Sequence, residues 1–368
     1  MRKPDHLFRY LEPTFFAGLL DDPVLLIRIR PLGRNLLFDC GQIHHLAKRV
    51  LKQIDAIFIS HAHMDHFMGI DTFIRHVLVS PRTFDLFGPP GLADKLQYKL
   101  GGYDWNLAEH FWCSLRVHEV WEDRIVLWVF SGPEGFARNL EGELERGDAV
   151  IYQNDYLRVE ARLADHKIPV LMFRCRERPS FSIDESALEA AGLVCGPWLA
   201  ELKRRFYRRF AEKSPLRVPC RDGDGKVEKL VDAAELYRRI RRVRPSASLG
   251  YITDVGFTGS NLARMESFLQ KTSLLIAECA FLREDLDKAR NSFHLCTEDF
   301  NLLLDRLRPS CFLPMHLSKT YNGRTDQLYR ELSPPQGTTL LKLPEHLLSR
   351  PLFPSEVRCP EPYFRVDS

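Results

Sequence analysis

Residues 60–66 read SHAHMDH and follow directly on the apolar run DAIFI, so three imidazoles and a carboxylate crowd the end of a strand. Along a strand, residues i and i+2 point to the same side. His61 and His63 can therefore present their rings to one ion as the chain leaves the sheet, while Asp65 and His66, on the following turn, face a second position close by. Neutral imidazole with carboxylate suits zinc, or manganese where oxygen ligands weigh more. Four residues cannot close two coordination shells that also hold water, so further ligands must come from distant parts of the chain. Three candidates of the right chemical type share a position after an apolar run: His166 after VEARLAD, Asp254 after LGYIT and His316 after CFLPM. A fold that serves them must bring several strand ends together.

The rest of the chain supplies those strands. With 368 residues, 45% hydrophobic and 27% charged, there is apolar material for one large core or two modest ones. Short runs rich in Val, Ile and Phe (PVLLIRI, NLLFDCG, DAIFISH, RIVLWVF, AVIYQ, YLRVEARLADH, VLMFRC) read as strands in the first half. Helices are expected near 69–76 and, after the turn GPPG, near 91–100. The second half repeats the pattern with SLGYITD, LLIAECAF and CFLPMH, separated by the helical stretches GSNLARMESFLQKT and CTEDFNLLLDRLRP. Two runs of strands with helices outside them make a mixed α/β chain.

Between 176 and 247 strand signals disappear, and the text reads as helices (IDESALEAAGL, GPWLAELKRRFYRRFAEK, DAAELYRRIRRVR) around the turn RDGDGK. This segment is expected to be an arm inserted into a single domain spanning 1–368. Residues 201–244 hold 15 Lys/Arg against 7 Asp/Glu, whereas the whole chain is only +3, so the remainder is about −5. Arg204, Arg205, Arg208 and Arg209, interleaved with Phe206, Tyr207 and Phe210, are candidates for binding a polyanion through bidentate phosphate contacts. The aromatics either stack on bases or pack the arm's own core. Nine cysteines are scattered without a C-x-x-C pair and read as free thiols of a reducing compartment. With no apolar run of membrane-spanning length and no apolar leader behind MRKPDHLFRYLEP, a cytoplasmic, non-membrane protein is expected.

FISHAHMDHFMGID resembles the signature of the metallo-β-lactamase superfamily. LLFDCG, LFGPPGLADKL, ADHKIPVLMFRCRER, FSIDESALEAAGLVCGPWLAELK, YITD, LLIAECAFL, SFHLCTEDF and FLPMHLSKTY follow in an order similar to that of ribonuclease Z, the transfer-RNA 3′-end endonuclease. The resemblance covers about residues 35–325. It implies a four-layer αββα sandwich with a protruding basic arm, and two Zn²⁺, with Mn²⁺ as an alternative. One ion would be held by His61, His63, His166 and Asp254, the other by Asp65, His66, Asp254 and His316, with Asp254 bridging. It further implies a metal-bridging hydroxide as nucleophile, oriented by Asp65. His294 stands where the family places a histidine beside the scissile phosphate, and Glu278 where it places an acid that orients a histidine. The implied substrate is RNA, a transfer-RNA precursor that loses its 3′ trailer, and the implied assembly is a homodimer.

The sequence departs from the family around the site rather than in it. LEPTFFAGLLDDP lacks the family's glycine loop, FDCGQIHHLAK replaces its Glu-Gly-Thr, CSLRVHEVWEDRIVLWVFSGPEGF is unusual, and HLCT stands for His-Ser-Thr. None of these touches a ligand, but they bear on what is recognised. Two other readings follow: the same chemistry on a cyclic nucleotide, small phosphodiester or ester, and a metal-poor RNA-binding scaffold. Ser60 is expected to support the turn.

Overall fold

The computed structural model describes residues 7–222, 225–242, 246–347 and 354–357. The chain parts into two compact units, Met1–Glu177 with Ala247–Ser368, and Arg178–Ser246.

The larger unit holds two sheets. The first runs in chain order through β1 (Leu11–Phe15), β2 (Leu25–Ile29), β3 (Arg34–Phe38), β4 (Ile54–Phe58), β5 (Thr83–Gly88), β6 (Ser114–Val120), β7 (Arg124–Ser131) and β8 (Arg138–Glu145). Its middle, β3 to β6, is parallel, and both flanks are antiparallel. The chain then forms β9 (Val150–Gln153), β10 (Leu157–Asp165) and β11 (Pro169–Glu177), and the smaller unit contributes β12 (Leu216–Asp222) and β13 (Gly225–Val231). Strands β14 (Ser248–Ile252), β15 (Leu274–Glu278), β16 (Cys311–Met315) and β17 (Thr339–Leu340) complete the second sheet, ordered β17-β16-β15-β14-β11-β10-β9. The β14–β17 pairs are parallel, which requires crossovers, and these are the helices Gly259–Leu269, Thr297–Leu307 and Thr325–Glu331.

Period-two alternation explains the layering. On β3, β4 and β5, Phe38, Phe58 and Phe87 point to one side and stack in a row, 4.7 and 4.9 Å between centroids. Phe173 of β11 and Tyr251 of β14 meet Phe38 from the other sheet at 5.5 and 5.8 Å. The intervening residues Leu37, Ile57 and Leu86 point the other way, onto Phe73 and Ile74 of the helix Ile70–Val77 and Leu92 and Leu96 of the helix Leu92–Leu100. Behind the second sheet, Phe300 of the helix Thr297–Leu307 stacks on Phe312 of β16 at 4.9 Å. The layers are helix, sheet, sheet, helix, the αββα sandwich. The two helices expected near 69–76 and 91–100 form there.

In the smaller unit the helices Glu185–Ala190, Trp198–Tyr207 and Ala233–Ile240 form as the sequence suggests, the first and third capped by Asp184 and Asp232. The expectation that strands vanish between 176 and 247 is corrected by the β12–β13 hairpin. Leu216, Val218 and Cys220 are buried at period two, a signal masked by Pro219. A two-stranded hairpin has only edges, so proline's missing donor is tolerated there. Phe206, Phe210 and Phe181 gather around Tyr237 at 4.9, 6.0 and 5.1 Å between centroids, so these aromatics pack the unit's own core, leaving Tyr207 exposed.

Candidate metal centre

The parallel strands β4, β14, β15 and β16 deliver their carboxyl ends to one place, where open α/β sheets offer sites to ligands. Beyond β4, His63 precedes the short helix Met64–Phe67, whose first turn holds Asp65 and whose last holds His66. The turn after β3 buttresses this helix: Cys40 N–H donates to the His66 carbonyl at 2.8 Å, and Gly69 N–H donates to the Cys40 carbonyl at 2.8 Å. A Cβ on Gly41 would stand 2.4 Å from the Asp65 carbonyl oxygen, so only glycine admits this approach. His166 lies just past β10, Asp254 just past β14, and His316, at φ 58°, just past β16.

All seven expected ligands converge. His61, His63, His166 and Asp254 bring one ligand atom each within 4.8 Å of one another, and Asp65, His66 and His316 do the same. Around Asp254 Oδ2, the Nε2 atoms of His66, His61 and His166 stand at 3.5, 3.6 and 3.8 Å. Asp65 Oδ2 lies 3.6 Å from His66 Nε2 and 3.2 Å from His316 Nε2. Most of these separations are too long for good hydrogen bonds but close to the edge of a tetrahedron around a metal with ligands near 2.0–2.2 Å, about 3.3–3.6 Å. His61 Nε2, His66 Nε2, Asp254 Oδ1 and His316 Nδ1 are buried with no hydrogen-bond partner. His316 Nδ1 and Asp254 Oδ1 are 2.9 Å apart, yet misaligned for a hydrogen bond. Buried polar atoms are rarely left orphaned, and four aimed at one small space fit cations.

Three of the five histidines, His61, His66 and His166, have Nδ1 tied down, which fixes how those rings face the centre. His66 Nδ1 donates to Asp39 Oδ2 at 2.9 Å, and His166 Nδ1 donates to the Phe293 carbonyl at 2.6 Å. Ser60 Oγ donates to Asp39 Oδ2 at 2.9 Å and accepts from His61 Nδ1 at 3.1 Å. Ser60 therefore does more than support the turn, as it orients the His61 ring. Asp39 also accepts from Ser60 N–H at 2.7 Å and the Tyr251 hydroxyl at 3.0 Å, and is fully buried at φ 53°. Asp39 is not among the residues that spacing singles out. Its signal lies in FDCG, a carboxylate ending an apolar strand just before the glycine that admits the ligand helix.

Glu278 and His294 pair with each other beside Asp254, the three bringing one ligand atom each within 4.8 Å of one another. His294 Nδ1 donates to Glu278 Oε2 at 2.8 Å, and Glu278 Oε1 accepts the Val255 N–H at 2.9 Å. Both oxygens of Glu278 are engaged, which suits an orienting acid better than a ligand. The His294 ring lies 4.7 Å from His166 and 6.5 Å from His316, at the rim of the ligand cluster.

Charge is shared unevenly. Burial opposes protonation of His66, but Asp254 and Asp39 outweigh it and push the imidazole up to about 10. His316 is likewise raised, against burial, chiefly by Asp254. Burial and the neighbouring His66 depress His61 to about 2. His63 is lowered by burial and by His166. Asp65 and Asp254 stay well below the usual carboxylate range because, against burial, His316 and His66 hold them ionised. Glu278 outweighs burial at His294 and raises it.

The four arginines expected on the arm's surface divide. Arg205 is only 6% exposed, with Nε 2.7 Å from Glu201 and Nη2 3.1 Å from Glu212, and it donates to the Ser214 carbonyl. It holds the unit together, and its placement among surface contacts is corrected. Arg204 is exposed and bound to Glu201 and Glu212. Arg208 and Arg209 are exposed and make no ion pair among the described residues.

A family model described as a beta-lactamase superfamily domain matches residues 34–137. The ribonuclease Z of Deinococcus radiodurans is 32% identical over 291 residues, 78% of this chain and 83% of that protein. The chain belongs to the ribonuclease Z family. The ribonuclease Z of Nanoarchaeum equitans is 22% identical over 314 residues, 84% of this chain and 82% of that one. Among solved structures, the metallo-beta-lactamase fold protein YhfI of Bacillus subtilis aligns with TM-score 0.51 at 13% identity, covering 90% of this chain and 97% of that one, which shows the fold. As a member of this family the chain is a metal-dependent hydrolase.

Proposed function

We propose that the chain is a dinuclear phosphodiesterase that removes the 3′ trailer from transfer-RNA precursors, leaving a 3′-hydroxyl. The observation that carries this reading is the convergence of five imidazoles and two carboxylates on one bridging position, Asp254. The names of the relatives supply the substrate class. The nitrogen-rich donor set favours two zinc ions over manganese. When bound, the pair supplies an acidified water and neutralises phosphoryl charge.

The chain's own residues do the rest. His61, His63 and His166 would hold one ion and Asp65, His66 and His316 the other, with Asp254 within reach of both groups. Asp65, ionised and more than a third exposed, also accepts a hydrogen bond from the attacking water and aims its lone pair. His294, held by Glu278 and raised toward its protonated form, gives its proton to the leaving oxygen or stabilises charge on phosphorus. Arg208 and Arg209 contact phosphates as part of an inserted substrate-binding arm within one hydrolase domain. The reading also takes the enzyme as cytoplasmic, in keeping with eight described cysteines that are all free thiols, and as a homodimer, which rests on the family resemblance. No helix among the described residues is long and apolar enough to cross a membrane.

A cleavage panel tests the reading: a 3′-extended transfer-RNA precursor, bis(p-nitrophenyl) phosphate and a cyclic nucleotide, each with and without chelator. Chelator-sensitive cutting of the precursor 3′ of its acceptor stem is expected. Hydrolysis confined to the small diesters would remove RNA as the substrate while leaving the phosphodiesterase chemistry standing.

A further inference from the structure

Two of the segments in which this sequence departs from the family pattern, LEPTFFAGLLDDP and FDCGQIHHLAK, meet in one place. Phe16 and Asp22 from the loop after β1, Gln42, His44 and His45 from the turn after β3, and Lys319 after β16 line a cavity of about 420 Å³. That volume falls within the about 300–1,000 Å³ of small-ligand pockets. It adjoins the metal centre through two direct links. Gly41 is wedged between them, since a Cβ there would stand 2.4 Å from the Asp65 carbonyl and 2.7 Å from Asp22 Cβ. On the other side, Leu317 N–H, next to His316, donates to the Leu19 carbonyl at 2.8 Å. The cavity walls thus pack against the segment that carries Asp65 and continue from the one that carries His316.

Its chemistry is that of a seat for a flat polar ring. The His44 and His45 rings stand edge to face at 5.4 Å, and Phe16 backs His45 at 6.0 Å. His45 Nε2 is held 3.2 Å from the Phe16 carbonyl, which fixes one ring, while His44 and Gln42 are exposed. Asp22, 9% exposed, anchors the Lys319 ammonium at 3.0 Å, and Lys319 is 68% exposed, so a cation stands at the mouth with donors left for a phosphate. An imidazole face can stack on any base, an amide can read its edge, and a lysine suits the adjoining phosphate.

We infer that this cavity seats the unpaired base of a nucleotide next to the scissile phosphate, with the exposed His44 ring as the stacking face, His45 bracing that ring at right angles, and Lys319 on the neighbouring phosphate. The inference rests on the RNA-cleaving reading and deepens it, because the altered N-terminal segments become the part that chooses how the trailer junction is held.

The experiment crosses a protein change with a substrate change. Wild type and His44→Ala/His45→Ala are assayed on a 3′-extended precursor and on versions abasic at each nucleotide flanking the cut, with bis(p-nitrophenyl) phosphate as a substrate that has no base to seat. The double variant is expected to raise KM on the intact precursor about 5- to 150-fold, the range that base stacking supplies. The effect on the small diester should be far smaller. One abasic position should cost the wild type a similar factor and cost the double variant little more, and His44→Phe/His45→Phe should recover most of the affinity. Equal, additive losses for intact and abasic RNA, or equal losses on RNA and small diester, would overturn the seat while leaving the nuclease reading intact. Absence of any RNA cleavage by a wild type that still hydrolyses the small diester would overturn both.

Discussion

His294 is the residue whose role the geometry separates most clearly from its neighbours. It sits beside the candidate ligands, yet its Nδ1 is committed to Glu278 and its ring stands at the rim. His294→Ala should retain both metals by elemental analysis and lose about 10²- to 10⁴-fold in kcat, the range for a missing general acid. Loss of metal in that variant would make it a ligand instead. The protons on His66 and His316 carry a second prediction. Both imidazoles are raised in the metal-free protein, so near neutrality the centre holds protons where the ions must go. A raised pKa means that protons are displaced on binding, so metal affinity should climb as the pH rises toward about 10, where His66 gives up its proton. Calorimetric titration in buffers of different ionisation enthalpy should register proton release; a flat affinity with no release would contradict it. At this scale the sequence is most legible: the seven ligands are visible as the right residue types after apolar runs. Asp39 and the second duty of Ser60 are not, because a residue that only touches ligands is revealed by the packing of β3 against β4 and β14, not by spacing.

Among the elements, legibility follows burial. Strands β3 and β4 and the Val170–Phe173 stretch of β11 are covered on both faces and read as apolar runs, whereas β6, β8 and β10 carry polar residues and give weaker signals. The smaller unit shows the same effect in its arginines. The text KRRF cannot tell which guanidinium is buried; the helical turn from Glu201 to Arg205 decides it, and it commits Arg205 to the unit's interior. Arg205→Ala should therefore make residues 178–246 more susceptible to limited proteolysis and leave the salt dependence of RNA binding nearly unchanged. Reversing Arg208 and Arg209 to Glu should do the opposite, keeping the unit folded while lowering the slope of log K against log salt by about one for each phosphate that is no longer neutralised. Identical salt slopes in the reversed variant and the wild type would take these arginines off the RNA.

Across the whole molecule, the αββα sandwich is the means by which residues as far apart in the chain as His61 and His316 come to one place. The two sheets meet through Phe38, Phe58, Phe173 and Tyr251, and Tyr251 itself reaches Asp39 with its hydroxyl, so core packing and ligand orientation are joined in one side chain. The metal centre depends on that register because its bridge, Asp254, comes from the second sheet and most of its histidines from the first. Counting the metals tests this most directly. Purified wild type, loaded with zinc and freed of excess, should carry two ions per chain by elemental analysis. Asp254→Ala should retain fewer than one, since it removes a ligand from both positions at once, whereas His63→Ala should spare the ion held by Asp65, His66 and His316. A wild type that binds one zinc or none, or an Asp254→Ala variant that keeps two, would contradict the dinuclear centre.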